Sequence, residues 1–376
     1  RQVASATEHD VPFEEKLDFF RRASHCYGRS ALMMSGGAGL IYFHHGVVNS
    51  LLEQGLLPNI LSGSSAGSMM CAQIGSRKDD DLKDYFLNKR YEVDETIEFK
   101  NLRSHVKAGT GDRNLMAFVD EFVGDMTFQE AFEHTGRYIN ISISPAEKHQ
   151  TSRLMNAITS PNVTIRSACR ASCSVPGLFT PKALEAKGSQ GQLKPYLRQR
   201  RWVDGSMAQD LPSKRLARLF GVNHYIVSMI NPAADFSLSS ASKNADNLRN
   251  ALAAVAHTSS IEVLKFMERL AASDRTQSMA TGFGVARTLM EQEYAGDINL
   301  MIKRSDYQWK NLLFNFDSDD DIQKLVKAGE RTTWPKIGMI RNCTQIGRDL
   351  DNLLHDLEHD NLKSQHPANK MYMTGA

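Results

Sequence analysis

With 376 residues, 41% hydrophobic and 23% charged, the chain has ordinary globular composition and length enough for one large domain or two smaller ones. Forty-five basic against 43 acidic residues leave a formal charge of +2, so there is no whole-protein field to gather nucleic acid, and any basic contact must be local. Five scattered cysteines (Cys26, Cys71, Cys169, Cys173, Cys343), without a Cys-x-x-Cys pair or a histidine at zinc-finger spacing, offer no metal site and fit a reducing compartment. No apolar run approaches the roughly 20 residues that cross a bilayer, and the charged opening RQVASATEHD, which starts at Arg1 rather than Met, has no signal-peptide core.

Residues 13–27, FEEKLDFFRRASHCY, carry the spacing of an amphipathic helix closed by Gly28, and SALMMSG suits a buried strand. FHHGVVNSLLEQG reads as a helix ending at Gly55, LLPNILSG as the next strand, and AGSMMCAQIG as a helix stopping near Gly75. This alternation predicts parallel strands joined by helical crossovers. Residues 78–101 turn charged and predict a solvated excursion, after which RYINISISP (137–145) resumes the sheet. CSVPGLF bears a turn. EAKGSQGQLKPYLRQRRWVDG reads as a surface loop returning to a strand end, followed by a helix over 213–220, capped by Ser213 and closed by Gly221, and by the strand HYIVSMI. Beyond Pro232 the text is mostly helical, notably over 248–270, with one strand, GDINLMI. Pro335 opens a final helix striped with Ile337, Ile340, Leu350, Leu353, Leu354 and Leu357, and the polar tail from Ser364 reads as disordered.

Gly63-Ser64-Ser65-Ala66-Gly67 matches Gly-x-Ser-x-Gly, in which a serine sits on a sharp strand-to-helix turn and small neighbours permit close backbone approach. Ser65 is the candidate nucleophile, at the positive end of the following helix. Ser35-Gly36-Gly37-Ala38-Gly39 follows the preceding strand and lies beside that turn if the two strands are neighbours; its N–H groups then form an oxyanion hole. The rival reading, a dinucleotide loop, lacks Gly-x-Gly-x-x-Gly spacing. A serine needs a base. Asp204, after an apolar pair and before Gly205, is the first candidate; Asp210 is the weaker one because Leu211-Pro212 directs it into a helix entrance. His44, His45, His224 and His257 have no persuasive catalytic surroundings, and packing or capping suits His44 and His45 better.

These residues resemble the patatin-like acyl hydrolases, and in particular the branch of intracellular triacylglycerol lipases of fungi and plants with their bacterial relatives. KLDFFRRASHCYGRSALMMSGGAG, GLLPNILSGSSAGS, MTFQEAFEHTGRYINISISP, RLMNAITSPNVTIRSACRASCSVPGLF, YAGDINL and TTWPKIGMIRNCTQIGR carry the resemblance, from about Pro12 to Leu350. It implies a three-layer α/β/α fold with a mostly parallel central sheet and a helical C-terminal extension. The expected division is an N-terminal helical segment (1–29) ending a longer preceding region, a catalytic core (30–232), a mainly helical part with one strand (233–363) and a disordered tail (364–376).

The resemblance further implies a Ser65–Asp204 dyad, an oxyanion hole from Gly36, Gly37, Ala38, Gly39 and Ala66, and turns shaped by Gly63, Gly67 and Gly205, with no metal and no cofactor. Many family members have a third consecutive glycine, then a basic residue and glycine; Ala38, Gly39, Leu40 and Ile41 stand there instead, and Ala38 keeps its N–H. Leu178 and Phe179 are candidates to line an acyl channel. The implied activity is hydrolysis of triacylglycerol or glycerophospholipid esters by a peripheral enzyme at an intracellular membrane or lipid-droplet surface. A lysophospholipid acyltransferase and a non-catalytic lipid-surface binding protein are the alternatives, and oligomeric state is left open. Lys194, Arg198, Arg200 and Arg201, interleaved with Tyr196 and Trp202, either seat that face on anionic headgroups at about 1 kcal/mol per charge or form a solvated loop.

Overall fold

Strand β1 (Arg29–Met34) carries five consecutive buried residues, a run suited only to a strand covered on both faces. Leu32 and Met34 enter one hydrophobic cluster, Ala31 and Met33 the other, as a side-chain period of two requires. In the computed structural model, which describes residues 2–7, 9–88, 111–147, 150–176, 179–206, 211–230, 296–314 and 316–365, β1 pairs in parallel with β2 (Ile60–Gly63) and β8 (Val222–Met229). β3 (Tyr138–Pro145) adds beyond β2 and β9 (Ile298–Met301) beyond β8, both parallel. β4 (Arg153–Met155) and β7 (Trp202–Asp204) run antiparallel to β3, making seven strands, while β5 (Leu184–Lys187) and β6 (Leu193–Tyr196) form a separate hairpin.

The larger cluster joins one face of the sheet to helices Ile41–Glu53, Ala66–Gly75 and Asp319–Thr333; the smaller joins the other face to Ser213–Phe220 through Leu216 and Phe220. The sheet is therefore the middle of three layers, mostly parallel, as expected. Helices Ile41–Glu53 and Asp319–Thr333 approach so closely that a Cβ on Gly46 would lie 1.8 Å from the Val326 carbonyl oxygen. The N-terminal helix Phe13–Tyr27 is tied to the long final helix, Ile337–Gln365: Ser24 donates to Asp351 (2.8 Å) and Tyr27 to the Asn342 carbonyl (2.6 Å). Among the described residues no helix is long and apolar enough to cross a membrane.

Three local expectations are corrected. The stretch read as a surface loop, EAKGSQGQLKPYLRQRRWVDG, folds as the β5–β6 hairpin ahead of β7. The charged stretch after Lys78 is not a solvated excursion throughout: Asp79–Leu87 is a helix burying Leu82 and Phe86, with Asp79, Asp80 and Asp81 in its first turn. Three aspartates are favourable at the positive helix end, and one i,i+4 apolar pair is too short a pattern to stand out among charges. Ser213 is the first residue of its helix rather than its cap, a position held by Pro212, whereas Gly221 closes it in the left-handed conformation, φ 66°. The expected helix over 248–270 and the tail beyond Gln365 lie outside the described residues.

Candidate active site

Ser65 occupies the turn between β2 and helix Ala66–Gly75 with φ 48° and ψ −119°, a backbone conformation costing an L residue about 1–3 kcal/mol. Its surroundings hold it there. The Ser172 hydroxyl accepts from the Ser65 N–H (2.9 Å) and donates to the Ser142 carbonyl (2.8 Å), pinning the turn to β3. The Ser68 N–H and hydroxyl both donate to the Ser65 carbonyl (2.9 and 2.6 Å), and the Gly67 N–H to the Ser64 carbonyl (2.8 Å), so the Ala66 N–H heads the helix just ahead of its first bonded turn. A Cβ on Gly63 would meet the Gly67 carbonyl at 2.2 Å, and one on Gly67 would stand 2.1 Å from the Met34 carbonyl. Gly67→Ala therefore has to push β1 and the turn apart; a loss of about 3 kcal/mol in stability, read by urea denaturation, is expected.

Asp204 ends β7 opposite Ile143 of β3, a pairing that brings it to the Ser65 turn. Its N–H donates to the Ser174 carbonyl (3.0 Å), and its carboxylate accepts from the Ser206 N–H (2.8 Å), the side-chain turn that an Asp-Gly-Ser sequence favours. A Cβ on Gly205 would strike the Ser142 carbonyl at 2.1 Å, so this turn passes close under β3. Asp204 is 1% exposed and Ser65 9%. Burial pushes the Asp204 carboxyl up from 3.8 to about 6, against hydrogen bonds from the Ser206 N–H and hydroxyl and the Ser65 hydroxyl, which pull it down. The Ser65 hydroxyl thus stands near enough to the carboxylate to favour its ionised form.

The Ser35–Gly39 loop leaves β1 next to that turn because β1 and β2 are neighbours. A Cβ on Gly36 would lie 3.2 Å from the Cβ atoms of both Ser65 and Ser206. Gly37 packs on Ile230, Ala38 adopts a left-handed φ of 45°, and a Cβ on Gly39 would collide with the Asn311 carbonyl at 1.9 Å. The loop base is clamped: the Ser35 N–H donates to the Ser228 carbonyl (3.0 Å), and the Ser35 hydroxyl accepts from the Ile230 N–H (2.8 Å).

His44 completes the clamp, fully buried, with Nε2 3.0 Å from the Ser35 carbonyl and Nδ1 2.6 Å from the Ser228 hydroxyl. A carbonyl only accepts, so Nε2 carries the proton and Nδ1 accepts from Ser228. Burial pushes the imidazole down from 6.5 to about 4, which keeps it neutral above that pH. His44→Leu strands both partners, and a loss of about 1–3 kcal/mol in denaturation free energy is expected.

The remaining histidines are elsewhere. His45 lies between Tyr42 and Phe86, with ring centroids 5.7 and 5.1 Å away, and His224, opposite Ser30 at the amino end of the sheet, packs on Tyr27. Phe179 packs on the larger cluster. His257, Asp210 and Leu178 lie outside the described residues. Among the described residues no group of three or more His, Cys, Asp and Glu is arranged around a metal position.

Three neighbours were not singled out from the sequence. Ser172 and Ser206 hold the turn and the carboxylate; the Asp-Gly-Ser order was a usable signal for Ser206, whereas nothing local marks Ser172. Cys173 is the third: buried beside Asp204, Ser65 and Ser68, its thiol is pushed far up by burial first, then by the nearby Cys169 and Asp204, so it stays protonated.

The family model described as patatin-like phospholipase matches residues 32–216. Triacylglycerol lipase SDP1L of Arabidopsis thaliana is 34% identical over 378 residues, an alignment covering 96% of this chain and 46% of that protein. A patatin-like phospholipase domain-containing protein of Cryptococcus neoformans is 31% identical over 399 residues, covering 98% and 45%. Triacylglycerol lipase 4 of Saccharomyces cerevisiae is 31% identical over 370 residues, covering 91% and 40%. The chain thus spans less than half the length of each of these relatives.

Proposed function

Because this chain carries a domain of the patatin-like phospholipase family, we propose that it is a serine lipid acyl hydrolase acting on carboxylic esters of glycerides or glycerophospholipids. One observation carries the reading: a serine on a strained turn whose hydroxyl acts on a nearby buried carboxylate, the pKa of which is raised toward neutrality. Asp204 takes the Ser65 proton as Ser65 Oγ attacks the ester carbonyl carbon. The oxyanion accepts from N–H groups of the Gly36–Gly39 loop and of Ala66 at the helix N-terminus. Collapse breaks the ester bond; the departing alcohol leaves with the proton that Asp204 held, and the acyl group stays on Ser65. Asp204 then deprotonates a water that attacks the acyl-enzyme, and it returns that proton to Ser65 Oγ as the acyl–Oγ bond breaks and the fatty acid leaves. His44 and Ser172 act only through the loop and the turn they hold.

The catalytic part is assigned to residues 30–232, preceded by the helical segment 1–29 and followed by 233–363. Its substrate resides in a membrane or lipid droplet, so the protein works peripherally at that surface. Incubation of the chain with a triacylglycerol emulsion and with phosphatidylcholine vesicles tests the proposal: free fatty acid is expected from at least one. Transfer of the acyl group to an added lysophospholipid, with none released to water, would make the protein a transferase instead.

A further inference from the structure

We propose that residues 193–201, the strand β6 and the loop leading to β7, dock the active-site mouth on an anionic phospholipid surface; this rests on the lipid-hydrolase reading above. The position comes first. β7 runs antiparallel to β3, with Asp204 opposite Ile143 and Trp202 opposite Pro145, so the chain just before Trp202 projects past the carboxyl end of β3. That is the sheet edge from which the Ser65 turn also leaves, since β2 and β3 are parallel. The pairing continues one step further, the Ala146 N–H donating to the Arg201 carbonyl (2.9 Å). Arg201 is three residue steps along the strand from Asp204, about 10 Å.

The side chains along residues 193–201 are of two kinds. Leu193 and Leu197 are 52% and 41% exposed, and Leu197 holds a left-handed φ of 51° at the loop tip. Beside them stand Lys194, Arg198, Arg200 and Arg201, with no acidic residue anywhere from 188 to 203. None of the four forms an ion pair among the described residues; Arg201 instead donates to the carbonyls of Arg198 and Arg200 (3.2 Å each), curling the loop. The tip is rigidly mounted, since β6 pairs with β5 and the buried Trp202 exchanges backbone hydrogen bonds with Lys182 (2.8 Å each).

Cations alone would suit any polyanion, but exposed leucines interspersed among them need an apolar phase under the anionic layer. A bilayer of acidic phospholipid offers both, and there the leucines enter the acyl boundary while the cations remain among headgroups. Vesicle sedimentation tests this with the full chain, comparing phosphatidylcholine with phosphatidylserine-rich vesicles at low and high salt. Wild type is expected to bind the anionic vesicles selectively and less tightly as salt rises.

The combination Lys194→Gln, Arg198→Gln and Arg200→Gln, which spares the loop-curling Arg201, is expected to weaken that binding on the order of a hundredfold. Leu193→Ser with Leu197→Asn should weaken it at high salt as well. Both variants are expected to retain hydrolysis of a dissolved short-chain ester, which reports that they fold. Equal binding to neutral and anionic vesicles by wild type, or undiminished binding by either variant, overturns the proposal. A chain that binds anionic vesicles yet hydrolyses no ester would instead defeat the hydrolase reading and leave the docking surface standing.

Discussion

Ser65→Ala is expected to lower ester hydrolysis by about ten-thousand- to a million-fold, because the dyad acts as a unit and only oxyanion binding would remain. Labelling by a fluorophosphonate should disappear with it. Stability should barely move, since alanine suffers the same strain at φ 48° as serine and the anchors from Ser172 and Ser68 are made to the Ser65 backbone. Ser65→Gly separates catalysis from folding more sharply. Glycine tolerates positive φ, so this variant should be equally inactive but more stable than wild type by about 1 kcal/mol. Substantial hydrolysis by either variant would remove Ser65 from the mechanism, and a stability ranking with glycine lowest would remove the strain argument.

The second large effect concerns Asp204 and has a pH signature. The folded state holds this proton up to about pH 6, whereas an unfolded carboxyl releases it near 3.8. Between those values the folded chain binds more protons, so this group's contribution to stability falls as pH rises through the window. Above about pH 6 the buried anion costs on the order of 3 kcal/mol relative to acid conditions. Only the ionised form accepts the Ser65 proton, so kcat/KM on a dissolved ester should fall about tenfold per unit below pH 6. Asp204→Asn removes both the base and the cost. A loss of about 10^3- to 10^4-fold in activity is expected, together with a higher Tm near neutral pH and a gain that vanishes near pH 4. A variant less stable than wild type at neutral pH, or a wild-type rate indifferent to pH between 4 and 7, would contradict the assignment.

Functional sites often run against the stability of their own fold, and the proposed pair would do so: one residue is held at a backbone angle glycine would prefer, the other is an acid kept from water. The restraints come from elsewhere, from Ser172 on one helix, from Ser206 two positions past the acid, and from His44 clamping the loop that follows β1.

Local chemistry made much of this legible. Apolar runs punctuated by glycine marked β1, β2 and the helices after them, because strand and helix periods and turn residues act over a few neighbours. The same locality marked Gly63–Gly67 as a tight turn and Asp204-Gly205 as a strand end. The helix Asp79–Leu87 escaped, because two buried side chains among many charges carry too little periodic signal.

By itself, then, the sequence determined the alternation that makes a parallel sheet, the sharp turn that carries Ser65, and the residue types available for its chemistry. Only the tertiary structure decided that β7 folds back along β3 to set Asp204 against Ser65, that Ser172, 107 positions from Ser65, anchors its turn, and that His44 is a neutral clamp rather than a base. The reason is range: backbone conformation answers to adjacent residues, whereas desolvation and proton affinity answer to every atom within several ångströms, whichever part of the chain supplies it.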